Sequence, residues 1–202
     1  MMLCGRSSPC GRSLWNARVF GDIPAARGWL GGVVAFCGAA ILSRPFYPAT
    51  PQAHLAGWGL VLALALFANY GGLLLWFMRD PAAGRDRVQL LPALDACPAF
   101  MAAALLSAAL ISKGQYDLLF GVWMGMFGLV HAAYRRNLPP ANLVVGLFYG
   151  AAGAVCLFHP AVRFVNPWPM GLVFLVGELS GGLVLIKGNM PEKIEGEEIC
   201  DD

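Results

Sequence analysis

Three ionisable side chains stand inside apolar stretches of this sequence, and these are the residues best placed to do chemistry. Glu178 lies in MGLVFLVGELSGGLVLI, Asp95 in LLPALDACPAF and His131 in FGLVHAAY. A titratable group surrounded by hydrocarbon is costly to charge, and in a membrane it raises a functional reading by default. The chemistry open to such groups is the uptake and release of protons. Glu178 is the sharpest case, because it stands near the middle of its apolar run. At helical spacing it shares a face with Gly171, Gly181 and Gly182, so it is expected to look into a helix bundle. The competing reading makes it a protonated structural side chain, hydrogen-bonded to a neighbour through Ser180 or Asn69.

His131 and Asp95 form the second constellation. His131 follows Gly128 by three residues, and Asp95 falls one turn into its own run. Both are expected ~5–7 Å inside the same edge of a bundle, at 1.5 Å per residue. A contact between them is therefore geometrically open. The plainer alternatives pair Asp95 with Arg85 or Arg87 and leave His131 as a boundary histidine beside Tyr134 and Arg135. Together with Asn69 these groups fill the middle and one half of the expected bundle, and no ionisable residue is expected to continue the path through the other half.

Known catalytic patterns fit poorly. An intramembrane serine protease needs GxSG, and here ELSG places Glu178 where the first glycine belongs. There is no HExxH and no P-loop pattern. The histidines (His54, His131, His159) fall on different segments, and Cys4 and Cys10 lack the CxxC spacing of a zinc site. No metal, cofactor or catalytic residue is expected, and the chain reads as non-enzymatic.

The elements that must position these groups follow from apolarity. Of 202 residues, 58% are hydrophobic and 13% charged, where soluble domains carry about 25% charged residues. Six apolar runs approach the ~20 residues that cross a bilayer. They are placed at Ile23 to Ser43, Leu55 to Met78, Leu90 to Ile111, Leu118 to Tyr134, Leu143 to Phe158 and Met170 to Ile186. The expected fold is an all-α membrane protein, a six-transmembrane-helix bundle over residues 23–186. It is flanked by a cytoplasmic tail (1–22) and an acidic cytoplasmic tail (187–202). The first run follows a long polar lead without a small-residue cleavage pattern, and it reads as a retained helix. Asp117 is expected to cap the fourth helix and Pro169 to occupy the first turn of the sixth. Pro98 is expected to kink the third.

Charge sets the orientation. Lys and Arg alternate between the successive connections, with eleven on the side of the termini and three on the other. The positive-inside rule then places both termini in the cytoplasm, in a plasma or inner membrane. A net charge of +2 points to no nucleic-acid partner.

Glycines mark the contact faces. Gly121, Gly125 and Gly128 form one stripe, Gly146, Gly150 and Gly153 a second, and Gly177 and Gly181 a third. Small residues let helix backbones approach in lipid, so each stripe is expected to pack a neighbouring helix. A homo-oligomer or a larger membrane complex could also form through these faces, with the lipid bilayer as the remaining partner. GAAILSRP (Gly38 to Pro45) lines up with GAVCLFHP (Gly153 to Pro160), which suggests repeated helical hairpins.

These runs, GWLGGVVAFCGAAILSRP, LLFGVWMGMFGLVHAAYRR and LVVGLFYGAAGAVCLFHP followed by PMGLVFLVGELSGGLVLI, resemble the repeated hairpins of the HdeD-type small membrane proteins. The resemblance covers residues 29 to 186 and implies six helices and a role in envelope or acid-stress tolerance. It transfers no catalytic residue. The third helix departs from the pattern, since it carries Asp95 and lacks the terminal proline. Two further readings remain open: a small transporter or channel with Glu178 as titrating group, and an accessory subunit of a larger complex.

Overall fold

The computed structural model describes residues 26–79, 91–133 and 140–188. Among these residues the chain is all-helical, with six α-helices and no strand. They are α1 (Ala26–Leu42), α2 (Pro51–Arg79), α3 (Leu91–Ser112), α4 (Leu119–Ala133), α5 (Asn142–Phe158) and α6 (Trp168–Gly188), with a 3-10 turn at Tyr116–Leu118. Every apolar run of the sequence has become one helix. Two segments, Pro51–Ala68 and Tyr116–Ala133, are long and apolar enough to cross a membrane; the other four apolar stretches are shorter. α1 ends at SRPFYP and α5 at HP, where proline disfavours a continuing helix.

The helices form a row in which α1 packs on α2 and α6, α5 on α6 and α4, and α3 on α4. The two tightest seams use small residues. On α4 and α5, a Cβ added to Gly128 would stand 2.7 Å from the Gly146 carbonyl oxygen, and one added to Gly153 would stand 2.8 Å from the Gly125 amide nitrogen. On α6 and α1, a Cβ on Gly32 would stand 3.0 Å from the Phe174 carbonyl oxygen, and Gly171 packs against Ala39. The same two-point contact thus recurs, with points seven residues apart on α5 and α1 and three apart on α4 and α6. The expected stripes do pack helices, but not uniformly: Gly125 and Gly150 face open space, and Gly181 meets only Val145 at 4.0 Å.

One end of the bundle carries the connections 43–50, 113–118 and 159–167, and there the core is aromatic. Phe164 enters from the last connection and is fully buried, 4.9 Å from Phe120 and 5.9 Å from Trp123 between ring centroids. Trp123 donates its indole N–H to Ser107 Oγ at 2.8 Å, which ties α4 to α3.

Asp117 corrects the expectation that it caps α4. Its Oδ1 accepts the Phe164 amide N–H at 2.8 Å, and Arg163 lies 3.7 Å from Oδ2. Asp117 stands in the 3-10 turn ahead of α4, and its carboxylate clasps the α5–α6 connection instead. The ion pair is largely exposed and contributes little, so the hydrogen bond dominates. Asp117→Ala is expected to cost about 1–2 kcal/mol in thermal unfolding, whereas Asp117→Asn, which still accepts the bond, is expected to keep most of that stability.

Pro169 occupies the first turn of α6, as expected, and Pro98 lies inside α3. The end of α3 is set by Gly114, the one described residue with positive φ (+70°). Its N–H bonds the Ile111 carbonyl, and the Gln115 N–H bonds that of Leu110. This is the double closure of a Schellman motif. Nothing lies within 4 Å of an added Cβ, so Gly114→Ala isolates the conformational term. It is expected to lower stability by about 1–2 kcal/mol, read from the unfolding midpoint in detergent.

α2 begins earlier than the sequence suggests. Thr50 Oγ1 accepts the Ala53 amide at 3.3 Å, and Pro51 takes the first helical position. The helix therefore includes His54, which is buried. This corrects the expectation that ionisable groups are confined to the middle and the opposite half of the bundle.

Candidate functional site

α4, α5 and α6 bring two of the candidate residues, His131 and Glu178, against the same buried tyrosine, Tyr149. Glu178 is the central residue of α6, ten residues from either end. Its Cβ would stand 2.9 Å from one added at Gly32 of α1, so the absence of a side chain at Gly32 admits α6 to close range. The carboxyl turns toward α5, where Glu178 Oε1 accepts a hydrogen bond from the Tyr149 hydroxyl at 3.3 Å. Tyr149 is fully buried. Its phenol lies directly against Gly177, where any side chain would overlap it. Gly177 is therefore a socket for Tyr149, and the glycine pattern of α6 serves the site as well as the packing.

Tyr149 connects onward through its ring. It stacks on His131 of α4, with centroids 5.5 Å apart and planes inclined by 16°. Phe127 and Phe174 close the box around it, at 4.9 Å and 5.2 Å. His131 is held in turn by Asn142, the buried first residue of α5. Asn142 Nδ2 donates to the His131 carbonyl at 3.1 Å, and its Oδ1 lies 3.0 Å from His131 Nδ1. Since the amide nitrogen faces a carbonyl, Oδ1 is the atom facing the imidazole, and Nδ1 carries the proton.

The resulting line is Glu178, Tyr149, His131, Asn142. Hydrogen bonds form its two ends and an aromatic stack forms its centre. It is not a continuous proton wire, because the Tyr149 to His131 step is a ring contact. It can make the position of one ring depend on the carboxyl at the other end.

One expectation is corrected here. Ser180 does not partner Glu178; its hydroxyl donates to the Val176 carbonyl one turn back, at 2.6 Å. The side chain of Asn69 lies outside the described residues, as does that of Asp95. His131 has a side-chain partner in Asn142, and the expected Asp95 to His131 contact falls on a side chain outside the described residues. Tyr149 and Asn142 escaped the sequence reading. Tyr149 sits within GLFYG, and its signal is a phenol placed between Gly146 and Gly153, the two glycines of α5 in close contact with the α4 backbone. Asn142 closes the loop RRNLPPAN and resembles an ordinary helix start. Among the described residues no group of three His, Cys, Asp or Glu side chains could hold a metal ion.

Beside the line, α4 and α5 leave an apolar groove of about 380 Å³, lined by residues that include Gly125, Leu129, Leu147 and Gly150. Comparisons of the chain with protein-family models, curated proteins and solved structures find no match.

Proposed function

We propose that this chain is a multi-pass membrane protein, non-enzymatic in action, whose working element is the Glu178, Tyr149, His131 line. The observation that carries the reading is the inward carboxyl at the midpoint of α6, bonded to a buried phenol. The setting supports it, because the outward side chains are apolar on every helix. Leu60, Phe67, Leu105, Val144 and Phe158 are each more than three-fifths exposed. Monomeric soluble proteins rarely expose contiguous apolar area beyond a few hundred Å², whereas hydrocarbon solvates such a surface. The two span-length helices agree with this setting, and the charge alternation orients the termini to the cytoplasm.

In that frame Glu178 is the proton-responsive group of a small transporter or channel. A change in its protonation alters its bond to Tyr149, and the stack passes the change to His131 and the α4–α5 seam. The resemblance to HdeD-type proteins adds envelope or acid-stress tolerance as the physiological setting. Proton flux in liposomes holding the purified protein, compared with Glu178→Gln, tests the element; survival of a deletion strain at low pH tests the setting. A second reading, an accessory subunit that receives a helix of a larger membrane complex, is favoured by the open groove at Gly125 and Gly150. It predicts a co-purifying membrane partner that is lost when Gly150 is replaced by a bulky residue.

A further inference from the structure

The aromatic end of the bundle buries two polar atoms that no protein group satisfies. His54 and Trp58 lie one turn apart on α2, so they share a face, and they are 2% and 4% exposed. Neither His54 Nδ1 nor Trp58 Nε1 has a hydrogen-bond partner. Trp123 shows the contrast, since its indole N–H is met by Ser107. His54 instead packs edge-to-face with Tyr47, with centroids 5.4 Å apart and planes at 83°. Trp58 packs edge-to-face with Phe120 at 5.7 Å and 84°. Buried polar atoms are paired in the great majority of cases, and an unpaired pair on one face marks a place that water would relieve.

The cover over this face is thin. Of the connection 43–50, Tyr47 is the residue that is not exposed. It lies on Gly57 together with Leu42; a Cβ at Gly57 would overlap both. One bond from the Tyr47 hydroxyl to the Ala53 carbonyl, at 2.7 Å, holds it there. That hydroxyl is engaged, so it does not serve Nδ1.

We propose that Tyr47 is a proton-operated lid: protonation of His54 from solvent displaces Tyr47 and exposes His54 and Trp58 to bulk solvent. An imidazolium donates from both nitrogens, and the closed arrangement offers Nδ1 no acceptor. The surrounding titratable groups give no compensation. Tyr47 and Arg44 belong to the α1–α2 connection, and α1 contributes Cys37. The turn before α4 carries Lys113, Tyr116 and Asp117, and the α5–α6 connection carries His159 and Arg163. Asp117 is committed to Phe164 and Arg163. Among the described residues no carboxylate is bonded to His54, so a charge there gains stabilisation from water alone. The lid stands apart from Glu178 and does not depend on that residue's role.

Hydrogen–deuterium exchange of the full chain in nanodiscs tests this, at about pH 7.5 and about pH 5, either side of the ordinary imidazole range. Rates are corrected for intrinsic exchange. In the wild type, protection of the amides of residues 52–58 is expected to fall about tenfold at the lower pH. His54→Phe, which fills the slot without titrating, is expected to stay protected at both; if it does not give a monodisperse protein, His54→Gln serves. Gly57→Ala is expected to be unprotected already at the higher pH. Wild-type protection that ignores pH, or a fall that persists without His54, overturns the proposal. Full protection in Gly57→Ala overturns the assignment of Tyr47 as the lid.

Discussion

Gly153→Ala is expected to destabilise the protein by about 1–3 kcal/mol, the range of core overpacking, while Gly150→Ala, three residues away, is expected to stabilise it slightly. Both changes gain roughly 1 kcal/mol of helix propensity. What differs is the space. At Gly153 the new methyl would stand 2.8 Å from the Gly121 carbonyl oxygen and 2.8 Å from the Gly125 nitrogen, both backbone atoms that no rotamer change can move. α4 and α5 must separate, and dispersion contacts along the seam weaken together. At Gly150 the methyl meets nothing within 4 Å. Gly153→Leu is expected to lose the fold outright, since the Leu157 side chain already fills the space beside Gly121. Unfolding midpoints in detergent for the three variants decide the matter. Equal effects at Gly150 and Gly153 would show that the stripe acts through composition and not through this seam.

Glu178→Gln is expected to reduce proton flux into liposomes to the level of empty vesicles, a loss of tenfold or more, without loss of folding. The amide matches the carboxyl in size and still accepts the Tyr149 hydroxyl bond, so the packing of α6 on α1 and α5 survives. What disappears is the ability to take and release a proton. Tyr149→Phe separates the two halves of the line. It removes the bond to Glu178 but keeps the ring that stacks on His131, so a smaller loss of flux is expected. Flux in the folded Gln variant equal to that of the wild type would sink Glu178 as the titrating group. Absence of flux in the wild type itself, under both a pH gradient and a voltage, would dismiss uncoupled conduction. In that case Glu178 is a packing residue, and the stress-tolerance reading gains weight.

Composition and punctuation along the chain were enough to place the helices. Hydrocarbon runs of helical length, broken by SRPFYP, RDPAAGRDR, RRNLPPAN and NPWP, leave little choice about where helices start and stop. The described helix ends agree with the apolar runs to within a few residues. Glu178 was legible because a carboxyl in the middle of an aliphatic run has few explanations, and its face was legible because Gly171, Gly181 and Gly182 repeat at helical spacing. Tertiary structure decided the partners. Helical periodicity gives a side chain's direction but not the identity of the helix it meets. Ser180 is near Glu178 in sequence, yet its hydroxyl is taken by its own helix; Tyr149, twenty-nine residues away, supplies the bond. Asp117 had the residue type of a cap, and a 3-10 turn redirected it to Phe164. The stripes carried the same ambiguity. Gly146, Gly150 and Gly153 look equivalent in a row of letters, but the packed seam brings Gly146 and Gly153 to close backbone contact and opens Gly150 to a groove. Local chemistry fixes where a helix runs and which face is small or polar. Only the packed bundle fixes which neighbour that face meets, because neighbour choice is settled by contacts distant in sequence.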